Sequence, residues 1–337
     1  MSQKSRYQVK SEKIVIENLN LSYEKFILID NFEQIYLEII PALGSNIFGF
    51  YKIIEGRQIN FIYVPSDLET ILTQKIRYYG NPILFPFPNR IPNGNFIFEG
   101  KSYHFRPNFR NGTAIHGLVN DKPWQVEESR QPNHEAAILT TYLRSQEHSK
   151  ILPQFPFPFE IKIKFQLKDK NIRLSTSIKN LGGSNMPMGF GIHPYFVAGI
   201  NSNERDGCIL KIPAREYWEL QNCLPTGVKM QVSGNHDLQE GKKLKNIYLD
   251  DIFTDLIPAA DGWTYYELTN TIQNYKLTVS ADQNFNHVVI YAPKDNNFVC
   301  IEPYTCITNA INIAPEQIIR LAPNDSIKLD IKIYIEI

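Results

Sequence analysis

Cysteine is scarce in this chain. Cys208, Cys223, Cys300 and Cys306 are the four in 337 residues, with no CxxC pair, so a disulfide scaffold is excluded and buried free thiols are expected. Long apolar runs are missing too. No segment approaches the ~18 apolar residues of a transmembrane helix. The N-terminal MSQKSRYQVKSEKIVIENLNLSYEK scatters charges where a signal peptide needs an unbroken apolar core. A cytoplasmic protein without a membrane partner is the expectation. Neither sign of charge dominates, with 35 Lys plus Arg against 35 Asp plus Glu. No global field therefore draws the chain to nucleic acid. Familiar chemistries are excluded by spacing. There is no GxSxG elbow, no P-loop and no HExxH, and the GFG of Gly189 to Gly191 lacks the third glycine of a dinucleotide fingerprint. A reaction needing neither cofactor nor metal is favoured.

What is present is alternation. EIKIKFQL (160 to 167), NIRLSTSIKN (171 to 180), YKLTVSA (275 to 281), NHVVIYAP (286 to 293) and SIKLDIKIYIEI (326 to 337) repeat with period two, which turns one face of each to a core and the other to solvent. The first two, separated by Lys168, Asp169 and Lys170, read as a hairpin. Asn93-Gly94 and Glu99-Gly100 mark further turns. Helical periodicity is weak, and 21 prolines are spread where they would interrupt helices. The Pro-rich stretches 82 to 92 and 152 to 159 carry phenylalanines that a solvated linker avoids, so they are read as ordered and packed. With 43% hydrophobic and 21% charged residues, a sizeable core is affordable. No repeat or boundary divides the chain. An all-β protein is expected: one large antiparallel domain over residues 1 to 337, built as a two-sheet sandwich.

Three residues stand in unusual settings. His116 lies in NGTAIHGLVNDKPW between Gly112 and Gly117, which permit a turn and a close backbone approach. His193 lies in MPMGFGIHPYF, where Pro194 imposes extension and Gly189 and Gly191 leave room in front of the ring. Glu302 lies in FVCIEPYTCITNAIN, an acid inside an apolar run that is costly to bury unpaired. A lone histidine in a β protein is more often a hydrogen-bonded structural residue than a catalyst; an acid in an apolar run is rare unless paired or functional. His104, His134, His148, His236 and His287 lie in polar or turn-like settings and read as surface or structural.

Taken in order, these segments resemble the aldose 1-epimerase (galactose mutarotase) family. NRIPNGNFIFEGKSYHF (89 to 105) is similar to its arginine-bearing hairpin, AIHGLVNDKPWQV (114 to 126) to its HG segment, GIHPYF (191 to 196) to its second histidine motif and CIEPYTCITNAIN (300 to 312) to its glutamate motif. With LEIIPALGSNIFGF (37 to 50), the likeness covers most of residues 30 to 335. It implies a large antiparallel β-sandwich with the pocket on a concave face. It also implies roles: Glu302 as general base, His193 as general acid, His116 as a second imidazole at the reacting end, Arg90 on sugar hydroxyls, and Asp250, with Asp251 beside it, as a substrate-binding aspartate. Interconverting the anomers of a cyclic sugar needs two proton transfers, from the C1 hydroxyl and to the ring oxygen, made by groups on opposite sides of the C1 to ring-oxygen edge.

Tyr195 and Trp124 are candidate walls for a sugar ring, though an aromatic in a chain this rich in them is more often core. Relatives acting on hexose 6-phosphates place an arginine just after the HG pair; here Leu118, Val119 and Asn120 follow, with Lys122 or Arg77 as possible substitutes. A free hexose is therefore the first expectation. Three rivals stand beside it: a catalytically silent sugar-binding protein, a metalloenzyme using His116, His193 and Glu302, and a glycosidase pairing Glu302 with Asp250.

Overall fold

The computed structural model describes residues 5–65, 67–74, 76–130, 135–199, 202–294 and 296–337; His134 falls outside them. Alternation becomes strand as expected. Phe159–Lys168, Asn171–Asn180, Tyr275–Ala281, His287–Ala292 and Ser326–Glu336 are all antiparallel strands. In the first, Ile161, Ile163, Phe165 and Leu167 are buried, while the lysines between them reach toward solvent. Lys168 belongs to the strand and pairs with Asn171, so the hairpin closes on Asp169 and Lys170 alone, with φ of 49° and 63°. A two-residue turn with both φ angles positive has a backbone twist that matches that of its strands. Glu99-Gly100 closes a second hairpin, Asn95–Phe98 with Lys101–His104. Asn93-Gly94 instead lies in a short 3-10 turn that joins Arg90–Ile91 to Asn95–Phe98.

Among the described residues the strands gather into three larger sheets, where two were expected. A nine-stranded sheet holds the long C-terminal strand Ser326–Glu336 at its centre, between Asn171–Asn180 and Tyr275–Ala281. An eight-stranded sheet runs from Leu224–Gln231 through Ala214–Gln221, Leu249–Leu256, His287–Ala292 and Phe298–Tyr304 to Gly191–Ile192 and Ile83–Leu84, with Tyr195–Val197 also on Phe298–Tyr304. The extra sheet is a five-stranded meander from Tyr7–Ile16 to Arg57–Asn60, which packs on Ala137–Arg144 and Phe159–Lys168. One apolar cluster joins all three, through Leu37 and Phe50, Ile161 and Phe165, and Val288 and Ile290.

Both Pro-rich stretches are packed. Phe85, Phe87, Phe155, Phe157 and Phe159 are buried, and the rings of Phe85 and Phe159 meet at 4.7 Å. The four thiols are free; Cys208, Cys300 and Cys306 are buried as expected, whereas Cys223 is only half-buried because it forms the left-handed turn of a surface hairpin. Trp124 is core, not pocket wall: it is buried, and its indole N–H donates to the Val119 carbonyl at 3.2 Å. No helix among the described residues is long and apolar enough to cross a membrane.

Candidate active site

Glu302 sits on Phe298–Tyr304, whose odd-numbered residues Val299 and Ile301 join the main core. Its even-numbered side chains therefore face the other way. The strand opposite does the same: Val288 and Ile290 point inward, leaving Val289 and Tyr291 beside Glu302 and Cys300, with which they pair. On the other flank, Gly191 pairs with Tyr304 and Tyr195 with Cys300. That constant register puts His193 directly opposite Glu302. Pro194 and Pro303 supply no backbone N–H, so the ladder opens at this point, and the His193 N–H donates instead to the Pro82 carbonyl at 3.0 Å. Imidazole and carboxylate then meet across the gap, Nε2 to Oε1, at 3.3 Å.

Each of the pair is held by a tyrosine two residues further along its own strand. Tyr195 stacks on His193, with rings 4.6 Å apart at 10°, and the Tyr304 hydroxyl donates to Glu302 Oε2. Gly191 explains how Tyr304 gets there. A Cβ on Gly191 would stand 2.4 Å from the Tyr304 ring, so this glycine clears space for the tyrosine and not, as its spacing suggested, for the face of His193.

His116 arrives from a separate module. Arg90–Ile91 pairs with Ala114–Ile115, and the His116 N–H continues that pairing by donating to the Asn89 carbonyl at 2.8 Å. The chain then turns sharply, with φ of 61° at His116 and 69° at Gly117. A side chain on Gly117 would meet the Phe85 carbonyl oxygen at 2.1 Å. The turn delivers the His116 ring edge-on to His193, 5.0 Å between centroids at 83°. The same strand pair aims Arg90 into the cleft, where its guanidinium donates to Asn89 Oδ1 at 2.9 Å and lies 3.7 Å from Asp250 Oδ2. Asp250 and Asp251 separate cleanly. Asp250 faces the cleft, while Asp251 pairs with His236 at 3.4 Å.

The cleft lined by these groups has a volume of 140 Å³. Tyr78, Asn89, Phe109, Val289 and Tyr291 complete its wall. Burial is the dominant electrostatic influence. It pushes the Glu302 carboxyl well above the usual carboxylate range and Asp250 adds to this, against the Tyr304 hydrogen bond and Arg90. Burial likewise lowers the His193 imidazole to about 3, with Arg90 adding to it. For His116, burial is joined by His193, Arg90 and Arg77, which together hold it well below 6.5. The surroundings thus favour a neutral pair in which one proton is held between Glu302 and His193. The two stand side by side, because strand register sets their spacing. The Nδ1 atoms of both His116 and His193 are buried without a partner among the described residues.

The other histidines among the described residues do structural work or lie outside the cleft. His287 bonds Gln317 at 3.0 Å, His236 stacks on Tyr217 at 3.9 Å, and His104 bonds Asn95 at 2.9 Å. The metal grouping also differs from the one read in the sequence. Ligand atoms of His193, Cys300 and Glu302 lie within 4.8 Å of one another, with Cys300 in the place given to His116.

An all-β fold of antiparallel sheets is the architecture of the galactose mutarotase-like proteins. The family model described as aldose 1-epimerase matches residues 39–334, and the chain belongs to that family. Among solved structures, it is similar to a galactose mutarotase-like protein of Clostridium acetobutylicum, at 23% identity and a TM-score of 0.86 over 98% of this chain and 99% of that one. It is also similar to the Slr1438 protein of Synechocystis, at 26% identity and a TM-score of 0.75 over 93% and 95%. In sequence it is 26% identical over 237 residues to the uncharacterized protein YihR of Escherichia coli, covering 68% of this chain and 71% of that protein.

Proposed function

We propose that the protein is an aldose 1-epimerase that interconverts the α and β anomers of a free hexose. The observation that carries the proposal is the buried His193–Glu302 contact of 3.3 Å, with His116 and Arg90 around it. The two oxygens that exchange protons during ring opening, O1 and the ring oxygen, are bonded to the same carbon. Their acceptor and donor must therefore stand close together. A pair sharing one proton suits this: Glu302 takes the proton of the C1 hydroxyl as His193 gives one to the ring oxygen, and closure runs the transfers backward. The division of labour requires the shared proton to sit on His193 when sugar is bound. Arg90, which favours the charged carboxylate, and the sugar's own hydroxyls supply that bias. Arg90 and Asp250 hold the remaining hydroxyls, and Tyr195 and Tyr291 provide the apolar wall.

One observation favours a second reading, a hexose 6-phosphate. Beyond Gly117 and Asn120 lies a pocket of 440 Å³ lined by Arg77, Arg106, Lys122 and Lys150, with Asp121 among them. Four cations beside the cleft offset the arginine missing after the HG pair. The test is the decay of optical rotation, or NMR exchange, of fresh α-glucose, α-galactose and glucose 6-phosphate. Rates equal to buffer for all three sink the epimerase reading. A kcat/KM at least tenfold higher for the phosphate ester replaces the first reading by the second. Sugar binding without acceleration identifies a silent binding protein, and product release from an aryl glycoside identifies a glycosidase.

A further inference from the structure

Cys300 is a buried thiol to which the proposed mechanism gives no task, yet it lies beside the two groups that carry the chemistry. Cys300 and Glu302 are two residues apart on one strand and so share a face, while register brings His193 opposite Glu302. All three are buried, and their ligand atoms lie within 4.8 Å of one another.

We infer that His193, Cys300 and Glu302 form a zinc site whose occupation inhibits the enzyme in competition with its sugar. The inference rests on the acid–base reading above, because the ion would take the same imidazole and carboxylate. The donor set selects the metal. A thiolate, an imidazole and a carboxylate match zinc, whereas magnesium and calcium take oxygen ligands. Zinc bonds of about 2.0–2.3 Å in a tetrahedron set ligand atoms roughly 3.3–3.8 Å apart. The His193–Glu302 contact of 3.3 Å already meets this, and the Cys300 sulfur lies within 4.8 Å of both partners. Charge is balanced as well, since a divalent ion with one thiolate, one carboxylate and a neutral imidazole leaves no net charge in a buried site. Water would complete the tetrahedron as the fourth ligand.

Binding releases two protons: the thiol proton of Cys300 and the one shared by Glu302 and His193. Affinity therefore rises with pH. Occupation removes both proton-transfer groups at once, so a zinc-loaded molecule cannot turn over.

Metal binding is measured first, without sugar. Cadmium added to the chelator-treated protein is followed by its thiolate charge-transfer absorption, and zinc by displacement of that band. Inhibition is then measured by polarimetry. The expected results are a thiolate band at one equivalent, inhibition competitive with sugar, and at least tenfold tighter zinc binding at pH 8 than at pH 6.5. Cys300→Ser, referred to its own turnover in chelator, should lose the band and weaken zinc inhibition at least tenfold; Cys223→Ser should keep both. No band, a band lost with Cys223 instead, inhibition unchanged in Cys300→Ser, or zinc raising turnover above that in chelator would each overturn the inference. A protein that shows the band but never accelerates anomerisation would refute the catalytic reading while leaving the metal site standing.

Discussion

Glu302 draws its properties from neighbours that the sequence placed in view but did not mark. Tyr304 and Cys300 are each two positions away, so period two alone puts them on the glutamate's face. Nothing in their own spelling distinguishes them from core residues. Tyr304 matters because its hydroxyl opposes the upward push of burial on the Glu302 carboxyl. The His193–Glu302 pair works with one proton, and the group raised in pKa, Glu302, governs loss of that proton at alkaline pH. Tyr304→Phe removes a bond that lowers this value. The alkaline limb of kcat/KM should therefore move to higher pH, with turnover at neutral pH reduced about tenfold or less. A limb that stays in place or moves to lower pH would show that Tyr304 does not tune the pair.

At the scale of elements, the site is a matter of pairing. Alternation told which face each strand offers, but not which strand lies beside it, so GIHPYF and CIEPYT could be recognised as separate motifs without being seen as cross-strand partners. Their two prolines carried the missing information: residues unable to donate to a ladder, one on each strand and each next to the His193–Glu302 position. The 3-10 turn at Asn93-Gly94 was legible as a turn but not as a type, because it joins Arg90–Ile91 to Asn95–Phe98 and does not close a hairpin. Gly117 links this module to the strand end at Phe85, where Leu118 N–H donates to the Phe85 carbonyl at 2.7 Å. Its φ of 69° and the 2.1 Å clash awaiting any side chain there make Gly117→Ala destabilising by ~2 kcal/mol or more. Because His116 is the adjacent residue, turnover should fall further than the thermal melt explains. A variant that melts lower but keeps its full turnover at low temperature would separate the turn from the site.

For the whole molecule, fold class was readable almost directly, since long alternating strands such as Phe159–Lys168 declare themselves. The third sheet was not. Strands from Tyr7–Ile16 to Arg57–Asn60 alternate less regularly, with Asn46 to Phe50 buried throughout and the middle of Tyr7–Ile16 exposed, and no local signal says into how many sheets such strands divide. Folding has also buried histidines whose charge the interior resists. His193 and His287 are lowered to about 3 and about 4, and His116 also lies well below 6.5, in each case through burial first. The folded state thus binds fewer protons than the unfolded one across this range, so its stability is complete above about pH 6.5 and is lost as pH falls through the folded values. Glu302, raised in the folded state, acts in the opposite sense and favours acid. The histidines outnumber it, so the free energy of unfolding should drop steadily from pH 7 to pH 4, by an amount on the order of several kcal/mol, and the melting temperature with it. His287→Gln should shallow that slope by the contribution of one imidazole. A flat profile would mean that the buried rings take up protons without resistance.

The central claim is that Glu302 moves a proton at the anomeric centre of a sugar, and the most direct test compares Glu302→Gln with the unaltered protein in the mutarotation of α-hexoses. The substitution preserves shape and removes the base. The expected result is a fall in kcat by about 10³ or more while sugar affinity changes by less than about threefold. Turnover within a factor of a few of the unaltered protein would contradict it.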